Sequence, residues 1–194
     1  MKAPAPFARF AAGSFDLIAA DPPWTFKTYS DRGQKKSPQA HYSCLPIEAI
    51  AALPVADLAA ADCWLLLWTC APLLDVAFDV LAAWRFEYVS RTAWRKITCN
   101  GLERLGPGYV VRTVHEDILI ARRGRPAIGK PFKSIFDGEA REHSRKPESF
   151  YLHAEQFAPG ARRLDLFSRQ RRPGWSVWGD QIDKFGSLEL EASA

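Results

Sequence analysis

A carboxylate, two prolines and an indole follow one another at Asp21, Pro22, Pro23 and Trp24, directly after the apolar run FDLIAA. Consecutive prolines give up two backbone donors and fix φ, so any strand formed by that run must end abruptly. A turn with no other task is served by Gly, Asn or Ser and gains nothing from a large ring at its tip. A chemical role for the stretch competes with a plain one, in which Asp21 caps a turn and Trp24 is ordinary core.

The surrounding elements decide what could be held there. FDLIAAD (15–21) and CWLLLWT (63–69) have the length and apolar continuity of buried strands. Segments 86–96, 115–124, 134–138 and 162–168 are four further strand candidates, and 46–53, 73–84 and 146–160 read as helices. In the second helix Leu74, Ala77, Phe78 and Leu81 fall on one face. The third carries Pro147 as its first residue and stops at APG. Strand–helix alternation of this kind predicts an α/β chain with a mostly parallel sheet, one domain over residues 1–194. In such sheets ligands bind beyond the carboxyl ends of strands. DPPW after the first strand and FSRQRRPGW…WGDQ after the last meet that condition. The polar segment 25–42 has the length of a binding loop or lid. A second loop, NGLERLGPGYVVRT, joins two strands of a hairpin.

Composition narrows the classes. Hydrophobic residues are 47% and charged residues 25%, which suits a soluble globule. No apolar run reaches membrane-spanning length and no secretory h-region opens the chain, so a cytoplasmic protein is expected. Cys44, Cys63, Cys70 and Cys99 form no C-x-x-C pair and no zinc-ligand spacing with the histidines, so they read as reduced thiols and no metal is implied. A triphosphate loop and a strand-following G-x-G-x-x-G are both missing, which weighs against nucleotide triphosphatases and nicotinamide or flavin enzymes. The net charge of +4 is uneven: residues 112–172 carry 14 Lys/Arg against 8 Asp/Glu. Such a stretch suits either a solvated face or a phosphate-facing surface.

Several segments, in order, resemble one family. FDLIAADPPW resembles the catalytic strand and loop of nucleic-acid N6-adenine methyltransferases of the mRNA-adenosine-methyltransferase (MT-A) type, which include small bacterial and phage members. HYSCLPIEAI, LLLWTCAPLL and LGPGYVVRTVHEDILIARRG resemble later family segments, the last with Val110 where Trp is usual. HSRKPESFY, APGARRLDLFSR and GWSVWGDQ resemble its cofactor-binding end. The resemblance runs from about residue 15 to 182. It implies a Rossmann-like S-adenosylmethionine-dependent methyltransferase fold, a mixed, mostly parallel sheet with one antiparallel hairpin. It is circularly permuted, with the catalytic motif ahead of the cofactor half.

The resemblance also implies roles. The exocyclic amine of adenine is a poor nucleophile because its lone pair is delocalised into the ring. Asp21 and the carbonyl of Pro22, stiffened by Pro23, would accept its two hydrogens and stabilise charge developing on nitrogen. Trp24 would be a stacking platform for the base. Ala20, Asp21, Lys146, Asp165, Phe167, Arg169, Asp180 and Gln181 match cofactor positions, with Lys146 expected on the methionine carboxylate of S-adenosylmethionine. Asp180 stands where Asn is usual, and Ser168 where Gly is usual. Lys27, Lys35, Lys36, Arg104, Tyr109 and Arg112, on the two loops, are the expected nucleic-acid contacts. His115 and Glu116 are read as packing against, or pairing with, one another. The nucleic-acid substrate is expected to be DNA rather than RNA, with no membrane association and with homo- or hetero-oligomers compatible with the reading. A catalytically silent nucleic-acid-binding partner, or methylation of cytosine N4, is the alternative. Silent partners typically lose the acid or the prolines, and enzymes acting on other amines usually begin the motif with Ser or Asn and end it with Tyr.

Overall fold

A computed structural model describes residues 1–25, 44–106, 110–142 and 144–186. These residues build one seven-stranded sheet: β1 (Phe15–Ala20), β2 (Ala59–Thr69), β3 (Glu87–Ile97), β4 (His115–Arg123), β5 (Ile135–Glu139), β6 (Arg163–Leu166) and β7 (Trp175–Trp178). The spatial order is β5-β3-β4-β2-β1-β6-β7. β4 runs antiparallel to β2 and β3, and every other neighbouring pair is parallel. The mixed, mostly parallel sheet and its hairpin match the fold expected of a Rossmann-like methyltransferase.

Why FDLIAA is apolar throughout follows from its place at the centre of two cores. Ile18 and Ala20 face one side of the sheet and pack with Leu65, Leu67, Leu164 and Leu166. Leu17 and Ala19 face the other and pack with Trp64, Leu66 and Trp68. A strand buried on both faces has no polar position to alternate with. The first core is covered by α1 (Ile47–Ala51) and α2 (Leu74–Ala83), the second by α3 (Glu148–Phe157). α3 buries Phe150, Tyr151, Ala154 and Phe157, a 3-4 stripe of the kind that seats a helix on a sheet.

Several boundaries differ from expectation. β2 starts at Ala59, four residues before the apolar run, because its first residues pair at the solvated end of the sheet. α3 begins at Glu148, with Pro147 as its extended N-cap rather than its first helical residue. In α2 the buried residues are Ala77, Val80 and Leu81, and Phe78 is turned outward, its ring 5.0 Å from Tyr88. The core face of α2 is therefore rotated by about half a turn-step from the expected stripe. β7, too short at four residues to give a clear period, is a strand that the sequence did not reveal.

The chain's first residues pack against β7. The Arg9 guanidinium donates to the Val177 carbonyl, and the Phe7 ring meets Trp178 edge-on at 4.9 Å. Phe7 is wholly buried.

Candidate active site

Register alone gathers the site. Ala20, the last residue of β1, pairs with Leu67 of β2 and Leu166 of β6, so Asp21, Trp68 and Phe167 follow at one sheet edge. Because β4 is reversed, its beginning lies at that same edge: Asp117 pairs with Thr69, and Glu116 with Trp94 of β3. Lys96 is two residues further along β3. Lys146, on the segment entering α3, completes the group.

These residues form a row of alternating charge. The Lys146 Nζ lies 3.0 Å from Asp21 Oδ2 and 2.8 Å from Glu116 Oε2, and Lys96 Nζ lies 2.5 Å from Glu116 Oε1. Lys146 also sits over the Trp68 ring, 4.5 Å from its centroid, a cation–π contact. Burial opposes its charge, but Asp21 and Glu116 outweigh burial and hold it firmly protonated. Burial likewise pushes Glu116 up, yet the two lysines prevail and bring it down to about 2. Asp21 is different. Its burial, with Glu116 adding to it, raises its carboxyl above the ordinary Asp value despite Lys146 and Arg169.

Asp21 is anchored through its backbone N–H, which donates to the Leu166 carbonyl at 3.4 Å. The Pro22 carbonyl accepts the Trp24 N–H at 2.8 Å, a tight three-residue turn that aims the carbonyl and leaves its second lone pair. The Pro23 carbonyl accepts from the Leu45 N–H at 2.9 Å. Trp24 is only 7% exposed and its Nε1 donates to the Trp68 carbonyl at 3.0 Å. In this structure the ring is an anchor within the first core rather than an open stacking face. It ties the end of the motif to the end of β2, which is the plain role weighed for it from sequence.

Beside Asp21 a cleft is lined by Trp68, Lys146, Tyr151, Asp165, Phe167, Arg169 and Arg172, among others. Its far wall is a relay that the sequence did not announce. Arg141 and Arg172 both donate to Glu148 Oε1, at 2.8 and 2.9 Å. The Arg172 guanidinium stacks 3.5 Å above the Tyr151 ring, and the Tyr151 hydroxyl donates to Asp165 Oδ2 at 3.0 Å. Phe167 adopts a left-handed φ of 63°, rare for an aromatic residue, and the turn it makes lets the Ser168 N–H reach the Trp178 carbonyl at 2.9 Å. Gly179 is required nearby, since a Cβ there would stand 2.6 Å from the Ser168 carbonyl oxygen.

Burial pushes the Asp165 carboxyl up to about 6, and Arg172 and Tyr151 offset it only in part. A folded-state value above the unfolded one means that the native protein holds the proton more tightly. Stability from this group is complete below about pH 4 and is lost as pH rises through about 6. Asp165→Asn should therefore flatten that slope and raise the unfolding free energy read from urea titration at pH 8 by on the order of 2 kcal/mol, with little change at pH 4. Equal gains at both pH values would contradict the assignment.

The other expected residues divide. Ala20 is fully buried in β1, behind Asp21. Asp180 and Gln181 lie on the turn after β7, outside the cleft lining. Asp180 is solvent-exposed, and Gln181 accepts from Lys184 Nζ at 3.3 Å. Arg104 donates to the Ala140 and Arg141 carbonyls and Arg112 to the Gly106 carbonyl, both side chains being exposed on the hairpin loop. Lys27, Lys35, Lys36 and Tyr109 fall outside the described residues. His115 and Glu116 do not pair with one another: His115 Nε2 lies 3.6 Å from Asp117 Oδ2, and Glu116 joins the lysines. Glu116, Lys96, Tyr151 and Arg172 are the residues that sequence reasoning missed. Cys63 and Cys70 are pushed up by burial, to about 12 and about 11, and stay as neutral thiols. Among the described residues no group of side chains is arranged to hold a metal ion, and no helix is long and apolar enough to cross a membrane.

The residues present fit S-adenosylmethionine. The buried Asp165 and the raised Asp21 would both gain from a cation, and the cofactor bears a sulfonium and an ammonium. Lys146, expected on its carboxylate, lines the same cleft while held by Asp21 and Glu116, and Arg145 and Arg169 lie beside it there. Fold and site together define a methyltransferase-type α/β chain with its motif at the end of an interior strand, β1.

Comparison with known proteins agrees. The MT-A70 family model matches residues 15–181, and the chain belongs to that family. It is 34% identical over 194 residues to "N6-methyladenosine RNA methyltransferase MTA1" of Cryphonectria parasitica, across 93% of this chain and 56% of that protein. It is 30% identical over 192 residues to mouse "N(6)-adenine-specific methyltransferase METTL4", across 91% of this chain and 39% of the relative. A "Type II methyltransferase M.MunI" of Mycoplasma sp is 25% identical over 195 residues, 91% of this chain and 81% of the relative. The chain thus spans about half or less of the first two relatives.

Proposed function

We propose that this chain methylates the N6 amine of adenine in nucleic acid, using S-adenosylmethionine. The observation that carries the reading is Asp21 at the end of the interior strand β1, held by Lys146 on the rim of a cleft whose charges suit that cofactor. The cofactor's chemistry is a methyl group carried on a sulfonium.

The chain's own residues prepare the amine. Asp21 accepts one N–H, and the second lone pair of the Pro22 carbonyl accepts the other. Both acceptors are fixed before substrate arrives, so no reorganisation is needed as charge develops. The amine gives up one proton as it gains the methyl, and Asp21 stands where that proton leaves. Alignment of amine and methyl across the rim contributes the entropic share, up to roughly 7–11 kcal/mol. Cytosine N4 and a silent partner remain less well supported, because Asp21 and both prolines are intact.

DNA is favoured over RNA as substrate. The support is the resemblance of its motifs to the small bacterial and phage members of the family. Contact with nucleic acid would fall to the exposed Arg104 and Arg112, with Tyr109 on the same loop in sequence and Lys27, Lys35 and Lys36 on segment 25–42.

The test is transfer of labelled methyl from S-adenosylmethionine to DNA and RNA oligonucleotides with and without adenine. Label confined to adenine-containing oligomers supports the reaction, and its distribution ranks DNA against RNA. Label on adenine-free, cytosine-containing oligomers would move the reading to N4. Cofactor binding without transfer to any oligomer would favour the silent partner.

A further inference from the structure

An oxygen of Asp21 that already accepts from Lys146 is a weaker acceptor for the amine than one the ammonium leaves open. The ammonium reaches the carboxyl at Oδ2, 3.0 Å away, and reaches Glu116 at 2.8 Å. The Trp68 ring closes a third direction at 4.5 Å. Lys96 holds Glu116 in turn. We propose that Glu116 is a positioning residue for methyl transfer: by drawing Lys146 to one side, it confines the ammonium to Oδ2 of Asp21 and keeps it from closing over Oδ1, the oxygen offered to the amine. The inference rests on the N6-methyltransferase reading and deepens it.

The physical reason is competition for three N–H donors. An ammonium at 9% exposure needs its charge matched by carboxylates, because water supplies little of the balance. With Glu116 present, two carboxylates share it, at 3.0 and 2.8 Å. Without Glu116, Asp21 is the carboxylate left beside it, and an ammonium bridging both Asp21 oxygens becomes the better arrangement. The catalytic acceptor would then be capped by its own partner.

The row also makes opposite predictions from its two ends. The groups facing Asp21 are Lys146, Glu116 on β4, Arg169 after β6, Asp165 on β6 and the Cys70 thiol after β2, while Lys96 acts through Glu116. Glu116→Gln removes a negative neighbour and gives Lys146 wholly to Asp21, so the Asp21 titration moves to lower pH. Lys96→Met gives Glu116 wholly to Lys146, loosens the hold on Asp21, and moves that titration to higher pH. Charge alone dictates those opposite signs, so the fall in kcat and its partial rescue by Glu116→Asp are what separate positioning from a bystander charge.

The experiment measures the Asp21 carboxyl by carbon NMR in the ligand-free protein, its resonance identified by loss in Asp21→Asn. The pH–rate profile is recorded alongside, at saturating cofactor and oligonucleotide. For Glu116→Gln the expected result is a lower Asp21 midpoint and an acid limb moved the same way. At neutral pH its kcat should fall about tenfold, the worth of one hydrogen bond. KM for the oligonucleotide should stay within about twofold, since the loss is confined to the transition state. Glu116→Asp should restore part of the rate, and Lys96→Met, on the partly exposed end, should shift the midpoint upward. Should Glu116→Gln fail to fold, Glu116→Asp takes its place, with a lower kcat at an unchanged KM as the expected result. Shifts of the same sign, or an unmoved profile in an active enzyme, overturn the inference and leave the methyltransferase reading standing. A wild-type protein that methylates no adenine overturns both, whatever the titration shows.

Discussion

Asp21→Asn is expected to lose methyl transfer by about 10²–10³-fold or more while the protein keeps its fold and at least its wild-type stability. The rate loss follows from replacing one of two fixed acceptors by an amide whose N–H₂ can face the incoming amine as a like donor. The stability result follows from the direction of the Asp21 titration. Burial and Glu116 raise its carboxyl above the ordinary value, so the ionised form is a cost to the native state that an amide does not carry. Sites of chemistry often hold such a cost, and relieving it commonly stabilises a protein. Labelled-methyl transfer and urea unfolding at pH 8 are the two measurements. A variant that is inactive but also several kcal/mol less stable would make Asp21 a structural residue.

Lys146→Met should be the most damaging single change at the site, and its deficit against the wild type should deepen as pH rises from 5 to 8. Removing the ammonium leaves Asp21 and Glu116 as neighbouring buried carboxylates, a loss of about 3–5 kcal/mol. In the wild type, Glu116 sits at about 2, below its unfolded value. Its contribution is present above about pH 4.5 and is lost as pH falls toward 2. Without Lys146 the carboxylates, led by Asp21, bind protons more tightly folded than unfolded. The variant should regain stability as pH falls from 8 to 5, and lose it again as pH rises. Urea midpoints across that range, against the wild type, read the sign directly. A pH-independent deficit would mean that lost packing against Trp68, rather than charge, carries the effect.

Much of this site was legible in the sequence, for a specific reason. FDLIAA and CWLLLWT are apolar because they are buried on both faces, and a run of that kind names an interior strand without help from its neighbours. The Pro pair then marks where the strand stops, and the rule that ligands gather at such ends supplies the location. Lys146 and Asp165 came from the resemblance, and the structure brings both to the cleft. Glu116 was out of reach because its partners are 20 and 30 residues away and meet it only through the reversal of β4. Its neighbour His115 offered an easier pairing, and the strand's own register excludes it by putting the two side chains on opposite faces. Trp24 shows the opposite limit. Its identity pointed to stacking, but whether an indole faces a ligand or the core depends on what lies above it, and here the Trp68 carbonyl accepts its N–H.

Phe7 and Arg9 give the cleft an unexpected dependence. β7 is the last strand of the sheet on its side, and an unpartnered strand edge is a template on which other chains can add. The Arg9 guanidinium occupies the Val177 carbonyl, and Phe7 buttresses Trp178, which also meets Phe167 edge-on at 5.4 Å. Phe167 is itself cleft wall. Two aromatic contacts thus connect the seventh residue to the pocket, and the chain closes on itself like a belt whose first hole takes the buckle near its end. A ligand entering beside Phe167 would press on residues some 160 positions earlier, so the two ends of the sequence share one mechanical fate.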